Sequence, residues 1–163
     1  MMKNIVFTRI DDRLIHGQVM TAWVQITGSN EVVIVDDNVA KNSFMQMVMK
    51  SAMPNKIGLK VLSIDEAIKY LSSEESGNEK IFILVKVPQV ILSLVSAGIP
   101  IKKLDVGGIG AKENRRTLYR NISASEEEKE ALIELSNKGV EVFFQVTPDN
   151  TRVTLNSVIK EEE

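Results

Sequence analysis

Residues 4–27, NIVFTRIDDRLIHGQVMTAWVQIT, decide the fold class. This stretch passes from a short apolar strand pattern through a polar connection into an amphipathic helix pattern. Further apolar runs rich in β-branched residues alternate with helical patterns along the rest of the chain, which is typical of βαβ units. The sequence therefore predicts an α/β fold: a single-domain, open, mostly parallel twisted sheet with helices on both faces.

The strands are predicted from short apolar runs, and the helices from apolar positions at helical spacing. The predicted strands cover residues 4–9, 32–35, 58–62, 80–87, 103–106 and 140–146, with a further short strand near 118–121. The predicted helices cover residues 17–27, 39–53, 64–71, a segment that starts at Pro88 and ends before Gly98, and 124–138. Trp23 falls on the apolar face of the first helix, so we interpret it as a core residue.

Residues that favour helix ends set these boundaries. We expect Asp37 or Asn38 to cap the second helix and Pro54 to end it. The patterns Ser63-Ile-Asp-Glu66 and Ser123-Ala-Ser-Glu126 are interpreted as capping boxes, in which each serine is structural.

Composition bounds the class of protein. A chain of 163 residues with 44% hydrophobic and 26% charged residues suits one globular domain, which we expect to span residues 1–163. The net charge of −2 argues against nucleic acid as a partner, because binding to a phosphate backbone needs a surplus of Lys and Arg. With no cysteine and one histidine, disulfides, thiolate metal sites and a histidine cluster for zinc are excluded.

The sequence shows no export signal or membrane span. The apolar run after Met-Met-Lys-Asn is too short for a signal peptide. The longest apolar candidate, residues 87–99, is interrupted by Pro88, Gln89 and two serines, whereas a membrane helix needs about 20 apolar residues. We therefore expect a cytoplasmic protein that associates peripherally with a membrane only through partner subunits.

The connection after the first strand contains the only histidine of the chain, His16. Residues 9–18, RIDDRLIHGQ, place two arginines, two aspartates and a glycine where a strand-to-helix loop needs only a turn and a cap. In an open parallel sheet, ligands gather beyond the carboxyl ends of the strands, and a helix N-terminus favours an anion. The loop is therefore predicted to hold an anion.

This run, with Trp23 following on the helix, resembles the active-site segment of the enzyme IIB subunits of the bacterial phosphoenolpyruvate-dependent sugar phosphotransferase system (PTS), in the mannose/fructose/sorbose family. Weaker matches continue at Asp36-Asp37, Ala52-Met-Pro54, Asp65-Glu-Ala67, Val106-Gly-Gly108 and Gly139-Val140. The resemblance implies a protein-histidine phosphotransferase in which Nδ1 of His16 becomes a phosphohistidine intermediate. It further implies that phosphorylated enzyme IIA is the donor, and that a sugar imported by membrane enzyme IIC and IID partners is the acceptor.

The residue types suit a phosphoryl carrier. A neutral imidazole offers a nucleophilic nitrogen near neutral pH. Arg13 is the candidate for stabilising the transferring phosphoryl group, because its planar guanidinium can meet two phosphoryl oxygens. Since protein groups supply the positive charge, we expect the transfer itself to need no cofactor and no metal, although the composition leaves carboxylate-bound magnesium open. The residues expected to bind phosphate are Arg9, which could equally be a surface residue, and Ile15, Gly17 and Gln18.

Asp11 and Asp12, which we include in the catalytic set, have two interpretations. One of them could hold the arginine or the histidine ring through a charged hydrogen bond. Alternatively, both are loop and cap residues that satisfy backbone amides.

Residues after other strands are expected to border the site, namely Asp36, Gly107 and Gly108. The Gly107-Gly108-Ile-Gly110 run is interpreted as a flexible turn rather than a nucleotide loop, because Glu113 occupies the third glycine position. The nearby cations Lys112, Arg115 and Arg116 are interpreted as surface charge.

Two alternative functions compete with the carrier. A receiver-type domain phosphorylated on aspartate predicts an acidic pair after the first strand, which Asp11 and Asp12 supply. It also needs an aspartate after the third strand and a lysine after the fifth, but Asp65 lies in a capping box and Gly107 stands at the lysine position. The second alternative is a non-catalytic regulatory or sugar-binding module on the same fold, although a loop freed from chemistry need not keep histidine, arginine and glycine together.

Overall fold

The computed structural model describes residues 3–75 and 77–162 of the chain. The strands in these ranges are β1 Asn4–Asp11, β2 Glu31–Val35, β3 Gly58–Leu62, β4 Lys80–Val85, β5 Lys103–Gly108, β6 Arg116–Tyr119, β7 Ile122–Ala124, β8 Glu141–Phe144 and β9 Val153–Thr154. The helices are α1 Gly17–Thr27, α2 Ser43–Ala52, α3 Ile64–Leu71, α4 Pro88–Ser96, α5 Glu126–Asn137 and α6 Leu155–Glu162, with a 3₁₀ turn at Val39–Lys41.

Seven strands form one sheet in the order β3-β2-β4-β1-β5-β8-β9. The neighbours from β3 to β8 pair in parallel, and β9 runs antiparallel to β8 at the edge. β6 and β7 form a separate antiparallel hairpin. The predicted α/β fold with a mostly parallel sheet is confirmed.

Helices cover both faces of the sheet. Alternate strand residues point to opposite sides, so each face has apolar side chains that a layer of helices buries. α1 and α2 pack on one face, where Trp23 and Met49 join a cluster with Phe7 and Phe82. α3, α4, α5 and α6 pack on the other face against a larger cluster that includes Ile83. Trp23 is 3% exposed and stacks on Phe7 with ring centroids 4.8 Å apart, so its prediction as a core residue is confirmed.

The predicted ends of α1 and α3 are confirmed. α1 ends before Gly28, whose φ of 68° is a left-handed conformation. α3 begins after the predicted capping box, in which the Ser63 hydroxyl accepts a hydrogen bond from the Glu66 N–H and the Glu66 carboxylate accepts one from the Ser63 N–H. α4 begins at Pro88 and ends before Gly98, as predicted.

Two other helix starts correct the prediction. α5 begins at Glu126 rather than at residue 124, because Ser123 lies in β7 and the capping box consists of Ser125 and Glu128. α2 begins at Ser43 rather than at residue 39, because the Asn42 side chain caps it by accepting a hydrogen bond from the backbone of Met45.

The residues around the predicted cap of α2 serve other segments. Oδ1 of Asp36 accepts hydrogen bonds from the backbone N–H groups of Asn38 and Val39, both at 2.9 Å, and so holds the 3₁₀ turn. Oδ1 of Asp37 accepts from the N–H of Ile64 at 2.8 Å, at the start of α3. The predicted helix 39–53 is therefore divided into a turn and a helix.

The C-terminal half contains elements that the sequence patterns do not predict. The predicted strand near residues 118–121 is confirmed in part, because β6 extends to Tyr119 whereas residues 120–121 form the turn of the β6–β7 hairpin, where Arg120 has a φ of 50°. β7 has no predicted counterpart. The short edge strand β9 and the helix α6 are also unpredicted. No helix in the two described ranges is long and apolar enough to cross a membrane.

The central strands β1 and β5 continue beyond their predicted ends, and their register slips there. Arg9 lies opposite Asp105, whereas Asp11 lies opposite Gly108, so Gly107 is an extra residue in β5. A bulge of this kind bends the strand and redirects nearby side chains.

Candidate active site

The loop that carries His16 lies between the end of β1 and the start of α1, at the carboxyl edge of the sheet. β1 and β5 are neighbours, but the chain leaves β1 towards β2 on one side and leaves β5 towards β8 on the other. α1 and α5 accordingly pack on opposite faces. This divergence creates the switch point at which open α/β sheets bind ligands.

Two loop residues have left-handed backbone conformations. Leu14 has a φ of 57° although it is not glycine, and its buried side chain and its hydrogen bond to the Asp11 carbonyl hold that conformation. Gly17 has a φ of 51°, and a Cβ there would meet no atom within 4 Å. Glycine at position 17 is therefore required for its backbone conformation rather than for a close contact within this chain.

The Asp11 carboxylate forms hydrogen bonds with both His16 and Arg13 and so links them. Its side chain is 1% exposed, and its Oδ2 lies 3.0 Å from Nε2 of His16. The same Oδ2 accepts a hydrogen bond from Nη2 of Arg13 at 3.1 Å. Oδ1 accepts hydrogen bonds from the Nε and the backbone N–H of Arg13, both at 3.1 Å. One buried carboxylate thus orients both the imidazole and an exposed guanidinium.

The ionisation of Asp11 follows from these contacts. Burial raises its pKa, but the hydrogen bonds from Arg13 and His16 and the charge of Arg9 outweigh burial, so the pKa lies below its ordinary value. An ionised Asp11 favours the His16 tautomer that carries its proton on Nε2. Nδ1 is then the nitrogen with a free lone pair.

Arg9 lies beneath this layer and is 1% exposed. Its Nη1 donates hydrogen bonds to the Asp105 carboxylate at 2.5 Å and to the Gln145 carbonyl at 2.9 Å. Its Nη2 donates to Oδ2 of Asp11 at 3.3 Å and to the Val146 carbonyl at 2.9 Å. Because both Nη atoms are bonded inside the protein, this geometry makes Arg9 a residue that orients others, in contrast to the predicted phosphate contact or surface position.

Two glycines of β5 make room for the buried side chains. A Cβ at Gly107 would lie 2.0 Å from Cζ of Arg9, and a Cβ at Gly108 would lie 2.9 Å from Oδ1 of Asp11. The interpretation of Gly107 and Gly108 as a flexible turn is wrong, because both are strand residues packed against buried charges. Through these contacts they border the His16 loop.

Asp12 anchors the loop to the chain that follows β5. Its N–H donates to the Gly108 carbonyl at 3.0 Å, and its carboxylate accepts from the Gly110 N–H at 2.7 Å. The carboxylate also lies 3.7 Å from Nη1 of Arg115. Asp11 is thus the aspartate that holds the arginine and the histidine ring, whereas Asp12 satisfies backbone amides.

The side chain of Arg115 is buried and serves the structure. It is 6% exposed and donates two hydrogen bonds of 2.8 Å to the carboxylate of Glu128, near the start of α5. The interpretation of Arg115 as surface charge is therefore wrong. Lys112 and Arg116 are exposed, as expected.

The start of α1 lies beside the imidazole. His16 is the N-cap residue, and its side chain makes no capping hydrogen bond. Gly17 and Gln18 are exposed in the first turn, where helix N–H groups have no partner within the helix and carry the positive end of its dipole. Ile15 is partly buried against the cluster beneath α1, so its side chain serves packing.

Asp36 lies further away along the same edge of the sheet. β4 separates its strand, β2, from β1. Its carboxylate holds the 3₁₀ turn through the two backbone hydrogen bonds described above. In the described residues it makes no hydrogen bond to the His16 loop.

Comparison with known proteins identifies the family. The model of the PTS system sorbose subfamily IIB component matches residues 5–163. The fructose-specific EIIB component of Bacillus subtilis (strain 168) is 32% identical over 149 residues, 91% of each chain. The crystal structure of the IIBSor domain of the sorbose permease from Klebsiella pneumoniae aligns with a TM-score of 0.94 at 28% identity, over 98% of both chains. The chain belongs to the sorbose-type PTS enzyme IIB family.

Further comparisons agree with this assignment. The crystal structure of manxB from Thermoanaerobacter tengcongensis has a TM-score of 0.91 at 38% identity, over 98% of this chain and 97% of that one. The mannose-specific EIIAB component of Escherichia coli (strain K12) is 26% identical over 155 residues, which are 95% of this chain and 48% of the relative. The predicted resemblance is confirmed, and this IIB component is part of a sugar phosphotransferase.

Three residues that bind Arg9 in this IIB component are not among those predicted from sequence. Gln145 and Val146 bind it through their backbone carbonyls, which carry no sequence signal. Asp105 does carry one, because it is a charged residue between Leu104 and Val106 in a central strand. Buried parallel strands are nearly continuous apolar runs, and a buried charge requires a partner.

Proposed function

We propose that this IIB component is a phosphoryl carrier that accepts a phosphoryl group on His16 from phosphorylated enzyme IIA. It then transfers the group to a sugar that membrane enzyme IIC and IID partners import. The observation that supports this proposal most is the position of the only histidine, with Nε2 3.0 Å from the buried Asp11 carboxylate at the start of α1.

In the first transfer, the lone pair of Nδ1 of His16 attacks phosphorus while the bond from phosphorus to the donor atom breaks. The proton on Nε2 stays in the hydrogen bond to Asp11, whose charge stabilises the ring as it becomes cationic. In the second transfer, a sugar hydroxyl oxygen forms a bond to phosphorus and releases its proton to solvent water. The N–P bond breaks, and its electron pair returns to Nδ1.

Arg13 supplies positive charge to the transferring group in this proposal. Its side chain is 54% exposed, and its guanidinium shares Oδ2 of Asp11 with the His16 ring. Negative charge is spread over the equatorial oxygens of a phosphoryl group during transfer, so a preorganised cation beside the imidazole lowers the barrier. The exposed first turn of α1 adds the N–H groups of Gly17 and Gln18.

Both partners must reach the same nitrogen. Donor and acceptor therefore dock in turn on the surface around residues 10–18, and their occupancy is mutually exclusive. A relative whose name is EIIAB component supports enzyme IIA as a partner of this chain. Membrane partners would bring the chain to the membrane surface.

The receiver-type alternative loses support from the structure. Asp65 is an exposed residue in the first turn of α3, and Gly107 packs against buried Arg9 at the position where that alternative needs a lysine. The non-catalytic module remains distinguishable by experiment, because it predicts that the wild-type protein takes up no phosphoryl group.

The test is to incubate the protein with a phosphorylated cognate enzyme IIA and to map the label by mass spectrometry under alkaline conditions. We expect acid-labile label on His16 in the wild type and in Lys50→Ala, an exposed change in α2 that serves as the control. We expect none in His16→Ala. Label that persists in His16→Ala, or an unlabelled wild type beside a competent donor, contradicts the proposal.

A further inference from the structure

Asp105 is a buried acid that the proposed transfer does not use directly. It lies in the middle of β5, with no exposed surface, opposite Arg9 in the neighbouring strand. Its Oδ2 accepts a hydrogen bond from Nη1 of Arg9, and its Oδ1 accepts one from the backbone N–H of Gln145 at 2.9 Å. Both carboxylate oxygens are therefore engaged, and no part of the side chain reaches the surface.

A continuous series of contacts links Asp105 to the imidazole. Arg9 binds Asp105 through Nη1 and Asp11 through Nη2. The Asp11 oxygen that accepts from Arg9 is Oδ2, which is also the oxygen beside Nε2 of His16. A shift of the guanidinium therefore moves the carboxylate that orients the ring.

The packing around Arg9 restricts such a shift. The Trp23 ring lies 5.0 Å from Cζ of Arg9, and the carbonyls of Gln145 and Val146 accept its remaining Nη hydrogen bonds. The backbone of Gly107 lies so close that even a Cβ would overlap the guanidinium. The guanidinium thus sits in a site that fixes its plane, with Asp105 as its second anionic partner.

We infer that Asp105 is a positioning residue: through Arg9 it holds the Asp11 carboxylate against Nε2 of His16 and so keeps Nδ1 as the nitrogen that receives the phosphoryl group. In its ionised form, Asp105 also offsets the charge of Arg9. Without that offset, the Arg9 charge acts on Asp11 alone and weakens the attraction of Asp11 for the Nε2 proton. The inference rests on the proposed carrier role of His16, but its tests do not require phosphoryl transfer.

The substitution Asp105→Asn tests the inference. Asparagine offers one acceptor oxygen where Asp105 uses two, so it loses the hydrogen bond from Arg9 or the one from Gln145. Because His16 is the only histidine, its ring nitrogen signals in ¹⁵N NMR spectra are unambiguous. We expect the Nε2–H tautomer to dominate in the wild type and a mixture of the two tautomers in Asp105→Asn. An unchanged tautomer ratio in folded Asp105→Asn would overturn the inference.

A matched control is Glu128→Gln. Glu128 is a buried acid that binds an arginine through two hydrogen bonds, but it lies on α5 and does not contact Arg9 or Asp11. This variant is expected to lose stability as Asp105→Asn does while keeping the wild-type His16 tautomer. A tautomer change of equal size in both variants would indicate a general loss of packing and would overturn the specific role of Asp105.

Transfer kinetics distinguish this inference from the proposed function. If His16 carries the phosphoryl group, Asp105→Asn should lower the rate constant of transfer from enzyme IIA by roughly 10- to 100-fold, the size of effect seen when a partner that orients a metal-bound histidine is removed. The KM for enzyme IIA should stay unchanged, because Asp105 is buried. An unlabelled wild type would refute the carrier, whereas a normal rate in Asp105→Asn would refute only the positioning role.

A second measurement covers the case in which Asp105→Asn does not fold. Burial raises the pKa of Asp105 to about 7, against the opposing effects of Arg9, the Gln145 N–H and Arg152. Apart from these groups, Asp11 is the charged group linked to it through Arg9.

In His16→Ala, which removes the titration of the ring, Asp105 can be followed through the amide of Gln145. The amide of Arg13, which donates to Oδ1 of Asp11, reports on Asp11. We expect both amide shifts to change with the same midpoint near pH 7. An Arg13 amide that shows no change at the Gln145 midpoint would overturn the inference.

Discussion

At the scale of single residues, Asp11 is the centre of the candidate site because it is the shared partner of His16, Arg13 and Arg9. These contacts differ in exposure: Arg13 is half exposed, whereas Arg9 is buried. In the proposed transfer, the exposed arginine meets the incoming phosphoryl group while the buried one keeps the carboxylate in place. Substitutions of the two arginines are therefore expected to have different consequences.

Arg13→Ala should slow phosphoryl transfer to His16 by about 10²- to 10³-fold, the usual effect of removing one preorganised donor from a transition state. The free energy of unfolding should change by less than about 1 kcal/mol, because exposed ion pairs contribute little. Rapid-quench kinetics and denaturant unfolding measure the two effects. Arg13→Lys is the control: it keeps the charge but not the planar fork, so an intermediate rate is expected. A wild-type rate in Arg13→Ala would refute the role.

The pKa of Asp11 predicts a dependence of stability on acid. Because this pKa is lower in the folded than in the unfolded protein, ionised Asp11 contributes stability above the ordinary pKa of an aspartate, and that contribution is lost as the pH falls through the folded pKa. Arg13→Ala removes a hydrogen bond that lowers this pKa. Its stability deficit relative to wild type should therefore be largest near neutral pH and should disappear in strong acid. A deficit independent of pH would contradict this assignment.

Gly107→Ala should destabilise the fold by about 1–3 kcal/mol, the usual cost of overpacking, because the added Cβ overlaps the Arg9 guanidinium. If Arg9 moves to relieve the overlap, transfer to His16 should slow as well. Gly58→Ala in β3 is the control, since its nearest neighbour would be 3.8 Å away and its φ is not left-handed. Thermal unfolding measures both variants, and equal losses would contradict the close contact at Gly107.

The residues of the site differ in how far the sequence could predict them. His16, Arg13 and Asp11 lie within one short run, so their proximity follows from local spacing. Arg9 meets acceptors that are 96 and 136 residues away along the chain. Only the pairing of β1 with β5 and the path after β8 bring those acceptors together, and a single sequence does not contain that pairing.

At the scale of elements, the start of a helix was predictable where the sequence offered a single candidate N-cap residue. Ser63 has no competitor, and the predicted start of α3 is correct. At α5 two serines two residues apart compete, and the structure uses Ser125 because Ser123 belongs to β7. At α2 the carboxylate of Asp36 holds a 3₁₀ turn, and Asn42 then caps the helix. These choices depend on where the preceding strand or turn ends.

The capping serines of α5 give a direct test. Ser125→Ala should lower the free energy of unfolding by about 1 kcal/mol, because the hydroxyl accepts a hydrogen bond from the Glu128 N–H that has no other partner in the helix. Ser123→Ala, which removes the alternative cap, should cost less. Urea unfolding of both variants measures the difference. A larger loss in the free energy of unfolding for Ser123→Ala than for Ser125→Ala would support the predicted capping box instead.

At the scale of the whole molecule, the order of the strands goes beyond what the sequence predicts. Alternating strand and helix patterns predict a parallel sheet, and the structure confirms it. They do not predict that β1 lies between β4 and β5, although this order creates the switch point beside His16. The order of the strands is set by which apolar faces fit together across the sheet. Because all the predicted strands are similarly apolar, the sequence patterns do not distinguish one order from another.

The strand order predicts which strands unfold locally and which unfold only with the whole protein. β1 and β4 are paired on both sides, whereas β3 and β9 lie at the edges. Amides of β1 and β4 should therefore exchange hydrogen only through global unfolding, and those of β9 through local opening. Hydrogen exchange followed by NMR, with increasing denaturant, measures this ranking. Exchange from β4 that is as fast as exchange from β9 would contradict the order of the sheet.

The bulge at Gly107 makes the length of β5 part of the active site. If this one residue were deleted, Gly108 would move to the place beside the buried arginine, and Ile109 would move to the place beside Asp11. A branched side chain would then overlap the carboxylate that holds the imidazole. Relatives that share this arrangement are therefore expected to allow no insertion or deletion between residues 105 and 109.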